Sequence, residues 1–258
     1  MLSKKQLQRG LTTKFIGRKL FVFESIDSTN ACAKTLAEAG CEEGTVVLAD
    51  YQSQGRGRLG RTWLAEPGQN LLFSIVLRPS IPQSQSPVLT FLSAVAVSRA
   101  VEKVTGVPTH CKWPNDVLLN KKKVCGILTE SSLTNGSVAY SVVGIGLNVN
   151  QQKFSDSIKD ATSVALELGK ECDRKALFHN VLCEFEELYE ALLSGKHESI
   201  LDEWNRRCSM FGHTVTVSTH DSQISGTAKR LNDDGGLVLS TNSGEQTFYA
   251  GDVTIISS

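Results

Sequence analysis

No apolar run in the sequence approaches the roughly 18 uninterrupted residues that a membrane-spanning helix needs. The opening stretch MLSKKQLQRGLTTKF also lacks the apolar centre of a secretory leader, so a soluble protein of the cytoplasm is expected, with no membrane partner. Net charge is absent too. The 27 Lys and Arg residues balance 27 Asp and Glu residues, and no global field draws the chain to a polyanion or an anionic lipid surface. Any nucleic-acid contact would need a local patch. The seven cysteines, at positions 32, 41, 111, 125, 172, 183 and 208, are odd in number and include no C-x-x-C pair. That pattern argues against a disulfide framework or a spaced metal site, and they read as reduced thiols, mostly small core residues. Internal repeats and low-complexity stretches are missing as well.

What is present describes a folded chain. Apolar residues make up 40% and charged residues 21% of the 258 positions, which places the chain among globular proteins and away from disordered ones. Its length suits one large domain with a small one beside it. Residues 20–26 (LFVFESI) are an apolar run of strand length, and Asp27-Ser28-Thr29 then offers cap oxygens to a helix from Asn30 to Ala39 that stops at Gly40. Residues 45–49 and 71–77 are strand-like, with a long polar loop between them. Ser86-Pro87 opens a helix whose apolar residues keep mostly to one face and which ends near Gly106. Short strands are expected at 110–113, 124–129 and 138–143, the last two joined as a hairpin through Thr134-Asn135-Gly136. Asp173 caps a helix over 173–193 that ends at Gly195, and 198–207 adds a shorter one. From Gly212 onward five short strands with tight turns suit a small closed barrel, and a boundary is placed near residue 210.

Four constellations carry chemistry. The first is the loop Gln52-Ser53-Gln54-Gly55-Arg56-Gly57-Arg58-Leu59-Gly60-Arg61-Thr62-Trp63. Its glycines permit positive φ and close backbone approach, its arginines present planar forks to phosphate or carboxylate oxygens, and Trp63 offers an aromatic face. A nucleotide site, a contact for single-stranded nucleic acid and a solvated basic loop are all open on these residues alone. The second is Lys112-Trp113-Pro114-Asn115-Asp116 with Lys123-Val124-Cys125-Gly126-Ile127-Leu128. Pro114 should end a strand and present Asn115 and Asp116 at its tip, either as an Asx turn or as oxygens for Mg²⁺ or phosphate-bound water. Lys123 sits where an ammonium can meet a substrate carboxylate, whereas Lys121 and Lys122 read as surface charges beside a turn. The third, Asp27-Ser28-Thr29-Asn30, holds more polar groups than a helix cap requires and could seat a polar ligand headgroup. The fourth, Gly144-Ile145-Gly146-Leu147-Asn148, either bares one strand face to a flat ligand or marks a β-bulge.

Together these motifs follow one order and approximate spacing. The sequence resembles biotin protein ligase in its D-S-T-N start, G-R-G-R-x-G-R-x-W loop, K-W-P-N-D, K-x-x-G-I-L, G-x-G-x-N and small C-terminal barrel. The resemblance implies an α+β chain. Residues 1–210 would form a mixed-sheet catalytic domain with flanking helices, of the class II aminoacyl-tRNA synthetase and biotin ligase-like type, and 211–258 an SH3-like barrel. It implies a ligase that uses ATP and Mg²⁺ to convert biotin to biotinyl-5′-AMP, then passes biotin to a lysine of the biotin carboxyl carrier protein or domain of acetyl-CoA carboxylase. Arg56, Arg58 and Lys123 would act at the reacting centre. Ser28, Thr29, Asn30, Gln52, Gly57, Gly126, Gly144 and Gly146 would join them around biotin. Arg61, Trp63, Lys112, Asn115, Asp116 and Asn148 would serve ATP with Arg58, Trp63 by stacking on adenine, and Asn115 and Asp116 would face the metal through phosphates or water.

The match has two departures. Some relatives carry an N-terminal DNA-binding domain, but here about twenty residues precede the first strand, so DNA binding by that route is not expected. Six of the first nineteen residues are Lys or Arg and read as a solvated lead. Some relatives also carry an arginine in the last strand that reaches the nucleotide, and the comparable position here is Ile256. Relatives often pair through the catalytic sheet, which makes a homodimer an assembly to consider. Other readings are a non-catalytic biotin-responsive regulatory protein, a lipoate-type ligase of the same fold, and a nucleic-acid module on the barrel. The last is disfavoured because Asp221, Asp233, Asp234, Glu245 and Asp252 oppose only Lys229 and Arg230 there.

Overall fold

The computed structural model describes residues 2–155, 158, 160–219 and 222–256; Asp221 lies outside the described residues. Segments rich in β-branched and apolar side chains form seven strands: β1 (Leu20–Ile26), β2 (Val46–Gln52), β3 (Leu71–Leu77), β4 (Thr109–Lys112), β5 (Asp116–Leu119), β6 (Lys122–Thr134) and β7 (Ser137–Leu147). They hydrogen-bond in the order β1-β2-β3-β7-β6-β5-β4. The β1–β2 pair is parallel and the other neighbours are antiparallel, which makes the sheet mixed as expected. Strand β3 is buried at all seven positions, the pattern of a strand covered on both faces.

Among the described residues six α-helices flank this sheet: α1 (Lys4–Gln8), α2 (Thr29–Glu38), α3 (Val88–Thr105), α4 (Val164–Leu168), α5 (Arg174–Leu193) and α6 (His197–Arg207). Ala33 and Ala37 of α2 pack on Val47, Val76, Tyr140 and Val142 in a small cluster of their own. The main core lies against α3, α5 and α6. Helix α3 departs from the one-faced expectation, because twelve of its eighteen residues are buried. It runs between the sheet and the two later helices, so apolar side chains are needed nearly all round. Ser28 and Asp173 cap α2 and α5 as their positions suggested.

Five further strands, β8 (Thr214–Ser218), β9 (Gln223–Leu231), β10 (Leu237–Thr241), β11 (Gly244–Phe248) and β12 (Asp252–Ile255), form an antiparallel sheet in the order β11-β10-β9-β8-β12. The strand count matches the expected barrel, with β11 and β12 as edges. This sheet is fastened to the first. The Trp113 indole N–H donates to the Gly235 carbonyl at 3.2 Å, and the Phe91 ring of α3 packs against the Gly235 backbone. Gly235 has φ +80, and a Cβ there would stand 2.3 Å from the Phe91 ring, so the close approach requires glycine.

Three local expectations change. The basic lead is no solvated tail: Ser3 caps α1 with a capping box, and Leu7, Leu11 and Ile16 are buried in the main core. The Lys112–Asp116 motif is a turn between two strands, β4 and β5, because a chain that ends one strand at Pro114 pairs with itself on the way back. Helix α4, capped by Ser163, was not anticipated, since five residues are too few for a periodic pattern. Lys121 lies at φ +66 in an exposed turn beside exposed Lys122, as surface charges should.

One buried carboxylate fastens the backbone of the lead. Glu186 on α5 is 6% exposed and accepts the backbone N–H groups of Lys14, Phe15 and Ile16, the latter two at 2.9 Å. Glu186→Ala should leave those donors without partners and lower unfolding stability by about 2–3 kcal/mol. Urea denaturation tests this, and a loss below about 0.5 kcal/mol, as for an ordinary surface change, would contradict it.

Candidate active site

The sheet's register assembles the site. Gly126 on β6 lies opposite Gly146 on β7 and opposite Asp116 on β5, and Asp116 pairs in turn with Lys112 on β4. Two residues along β7, Gly144 stands between Ser74 on β3 and Leu128 on β6. Paired residues of antiparallel strands share a face. The result is a strip of sheet with no side chains, bordered by Asp116 and Lys112. It forms part of the wall of a cavity of about 360 Å³, within the range of small-molecule sites. The alternating glycines therefore bare a strand face; the bulge reading of that stretch does not hold, as its pairing with β3 and β6 continues without interruption from Leu147 to Ser141.

At the N-terminus of α2, side chains are wired to one another. The Thr29 N–H and hydroxyl both donate to Gln52 Oε1, at 2.7 and 2.9 Å. Ser74 Oγ lies 2.6 Å from Asn30 Oδ1, an atom that can only accept, so the hydroxyl proton points there. The Asn30 amide donates to Leu128 O at 3.2 Å and to Glu130 Oε2 at 2.8 Å. A Cβ on Gly144 would sit 2.1 Å from Asn30 Oδ1. The glycine is thus what lets the asparagine reach the sheet. Ser28 caps the helix and, with Thr29 and Asn30, lines the cavity, whereas Asp27 does not line it and accepts the Ser28 N–H.

The glycine-arginine loop folds back on itself. Gly57 N–H donates to Arg61 O at 2.7 Å and Trp63 N–H to Gly55 O at 2.9 Å. Positive φ is used less than the composition suggests: Gly60 takes +73, but so does Leu59 at +54. Gly55 matters for space, since its Cβ would meet the Trp63 carbonyl at 2.4 Å. Trp63 lies on the bare strip, where Cβ atoms on Gly126 and Gly146 would come within 2.7 and 2.6 Å of its indole. Its Nε1–H is buried with no acceptor among the described residues. An unpaired buried donor costs about 1–3 kcal/mol, which a ligand acceptor would recover. Lys123 Nζ stands 5.5 Å from the Trp63 ring centre and 2.7 Å from Asp116 Oδ1.

Charge in the cavity wall is lopsided. Arg56, Arg58, Arg61, Lys112 and Lys123 face only two carboxylates, Asp116 and Asp252. Both carboxylates are already engaged, Asp116 by Lys123 and Asp252 by both terminal nitrogens of Arg61. Burial pushes the Arg58 guanidinium below its usual pKa, against the pull of Asp252 and Asp116. Its contacts are long, 3.4 Å to Asn115 Oδ1 and 3.5 Å to Gly251 O. The surplus is suited to a polyanion.

Every residue assigned to biotin, ATP or the reacting centre lines this cavity except Asn148. Asn148 is buried and donates to Thr162 O at 3.0 Å, while Thr162 N–H donates to Lys123 O at 2.9 Å. It ties a neighbouring segment beside Lys123 and sits one layer behind the wall. The cavity also uses Trp113, Ile127, Leu128, Ile145 and, from β12, Asp252 to Thr254. Ser74 could have been found, as the one polar residue in the apolar run LLFSIVL. The β12 residues carried no local sign. Ile256 lies beyond them, exposed, and does not line the cavity.

If the bare strip seats Trp63, adding a methyl group should unseat it. Gly146→Ala and Gly126→Ala are expected to red-shift indole emission and increase acrylamide quenching while far-ultraviolet circular dichroism stays native. An unchanged emission spectrum in both variants would remove Trp63 from the strip.

Residues 22–148 match the Biotin/lipoate A/B protein ligase family, and residues 210–255 match the Biotin protein ligase C terminal domain. The chain is 37% identical over 257 residues, 98% of its length and 79% of the other's, to the bifunctional ligase/repressor BirA of Bacillus subtilis (strain 168). It is 33% identical over 233 residues, 88% of its length and 96% of the other's, to a Paracoccus denitrificans protein named biotin--[acetyl-CoA-carboxylase] ligase. Among solved structures, the biotin protein ligase from Aquifex aeolicus in complex with biotin and ATP is similar with a TM-score of 0.80 at 32% identity, over 93% of this chain and all of that one. With likeness in sequence and in fold extending over nearly its whole length, the chain belongs to the biotin protein ligase family.

Proposed function

We propose that this protein is an ATP-dependent biotin ligase acting on the carrier domain of a biotin-dependent carboxylase such as acetyl-CoA carboxylase. One observation carries the reading: five cationic side chains converge on a cavity whose wall also holds a hydrogen-bonded network of amide and hydroxyl groups. The network suits a cyclic urea, which has both N–H donors and a carbonyl acceptor. A dithiolane ring has neither, which favours biotin over lipoate. A protein that only senses biotin would have no use for a surplus of guanidinium groups.

In the first step a carboxylate oxygen of biotin bonds to the α-phosphorus of ATP, and the bond to the bridging oxygen breaks, so pyrophosphate leaves with the electron pair. Two anions must approach each other, and Arg56, Arg58 and Lys123 offset the charge that builds there. Arg61, Trp63 and Lys112 would hold the nucleotide, with Trp63 moving from the bare strip to stack on adenine. In the second step the lone pair of a carrier lysine attacks the acyl carbon, AMP departs with the electrons of the C–O bond, and the amine loses its proton. Between the steps the mixed anhydride must be kept from water, a task for the loop from Ser53 to Trp63.

The donor set fits a divalent cation only loosely. No cluster of three or more His, Cys, Asp or Glu occurs among the described residues, and Asp116 Oδ1 is paired with Lys123. Mg²⁺ characteristically takes one or two protein oxygens plus phosphates and water. Asn115 and Asp116 would hold it in that way, where it would neutralise phosphate charge.

Incubation of a carrier domain with the protein, biotin and ATP should add one biotinyl group by mass spectrometry, and lipoate as parallel donor should add nothing. Biotin-independent ATP turnover, or transfer of lipoate instead, would reject the reading. Arg58→Gly should release free biotinyl-AMP and label bystander lysines; retention like that of the wild type would remove the arginine from this role. Lys123→Ala should raise the biotin concentration needed for half-maximal pyrophosphate release by about tenfold or more, the equivalent of one lost charged hydrogen bond. Unaltered biotin and ATP kinetics would assign Lys123 to structure alone.

A further inference from the structure

A second cavity of about 180 Å³ adjoins the first and shares Arg58, Asn115 and Leu128 with it. Its outer wall is built from both sheets: Thr90 of α3 and Thr129 of β6 on one side, Asp234 and Tyr249 of the C-terminal sheet on the other. The two threonine hydroxyls are bonded to each other at 2.8 Å. Asp234 is the only carboxylate in this wall, and no hydrogen bond or ion pair among the described residues engages it. It is carried on a stiff turn, in which Gly236 N–H donates to Asn232 Oδ1 at 2.6 Å and Gly235 N–H to Asn232 O at 2.9 Å. Tyr249 is 62% exposed, with its hydroxyl accepting from Asn232 Nδ2 at 2.8 Å.

An uncommitted anion held on a rigid turn beside an exposed aromatic ring suits a long cationic side chain, whose methylenes lie on the ring while its ammonium meets the carboxylate. Between this wall and the cationic cavity stands Arg58. Its contacts of 3.4 and 3.5 Å are at the weak limit for hydrogen bonds, so the side chain can swing aside. We propose that this second cavity is the entrance for the acceptor lysine of the carrier, with Asp234 as the station of its ammonium, Tyr249 as the platform for its stem and Arg58 as the partition to the acyl centre. The proposal deepens the ligase reading and rests on it. It gives the Asp234–Tyr249 side of the C-terminal sheet a task in the second step only, since neither residue lines the cavity assigned to biotin and ATP, whereas Asp252 to Thr254 of β12 do.

The test separates the steps. For wild type, Asp234→Lys, Asp234→Asn and Tyr249→Ala, three rates are measured: biotin-dependent pyrophosphate release, transfer from preformed biotinyl-AMP to a purified carrier domain, and transfer to hydroxylamine as a small uncharged acceptor. Expected are unchanged pyrophosphate release and hydroxylamine transfer, with the KM for the carrier raised about tenfold or more by Asp234→Lys and several-fold by the two milder variants. A carrier KM within twofold of wild type in all variants overturns the entrance. So does a parallel fall in hydroxylamine transfer, which would show damage to the acyl centre. If Asp234→Lys fails to fold, the nearly isosteric Asp234→Asn and the truncation of exposed Tyr249 decide the matter. Failure of the wild type to release pyrophosphate with biotin would instead sink the ligase reading itself, a distinct result.

Discussion

Three glycines on one face of two paired strands set the terms for everything else in this protein. Where Gly126 faces Gly146, the sheet surface lies at the level of its own backbone, and a flat group can approach as closely as van der Waals contact allows. Trp63 exploits that space, and Asn30 uses the same device at Gly144, where no other residue would leave room for its oxygen. The site is therefore defined first by atoms that are missing, and only then by the polar groups arranged round the gap.

Those polar groups are of two kinds, and burial treats them differently. Thr29, Asn30, Gln52 and Ser74 hydrogen-bond to one another and, through the Asn30 amide, to Leu128 and Glu130, so their orientation is set before any ligand arrives. The cations are not satisfied in this way. Five face two carboxylates, and Arg58 is held below its usual pKa chiefly by desolvation. A site of this sort is electrostatically incomplete, and phosphate oxygens would complete it.

The C-terminal sheet is part of the same machine and no mere appendage. Phe91, Trp113 and Gly235 lock it against α3 and the β4–β5 turn, and this contact brings Asp252 to Arg61. Its edge strand β12 thereby closes a wall of the cavity that the larger sheet leaves open. Two of this region's carboxylates are paired with arginines, Asp252 with Arg61 across the junction and Glu245 with Arg230 within the sheet.

Much of this was legible in the residues themselves, wherever a rule acts over a few positions. The caps at Ser28 and Asp173, the hairpin turn at Thr134 to Gly136 and the strand character of LLFSIVL depend on local backbone chemistry. All but one of the residues that the ordered motifs assigned to the site line the cavity. Asn148 could not be sorted from its neighbours, because alternation along a strand end does not say whether a side chain lies in the wall or behind it. The pairing of Gly126 with Gly146, the meeting of Ser74 with Asn30 and the arrival of Asp252 at Arg61 were decided by the tertiary structure alone. Register and sheet-to-sheet docking minimise the energy of the whole core, and residues dozens to nearly two hundred positions apart carry no local trace of which partner that minimum will choose.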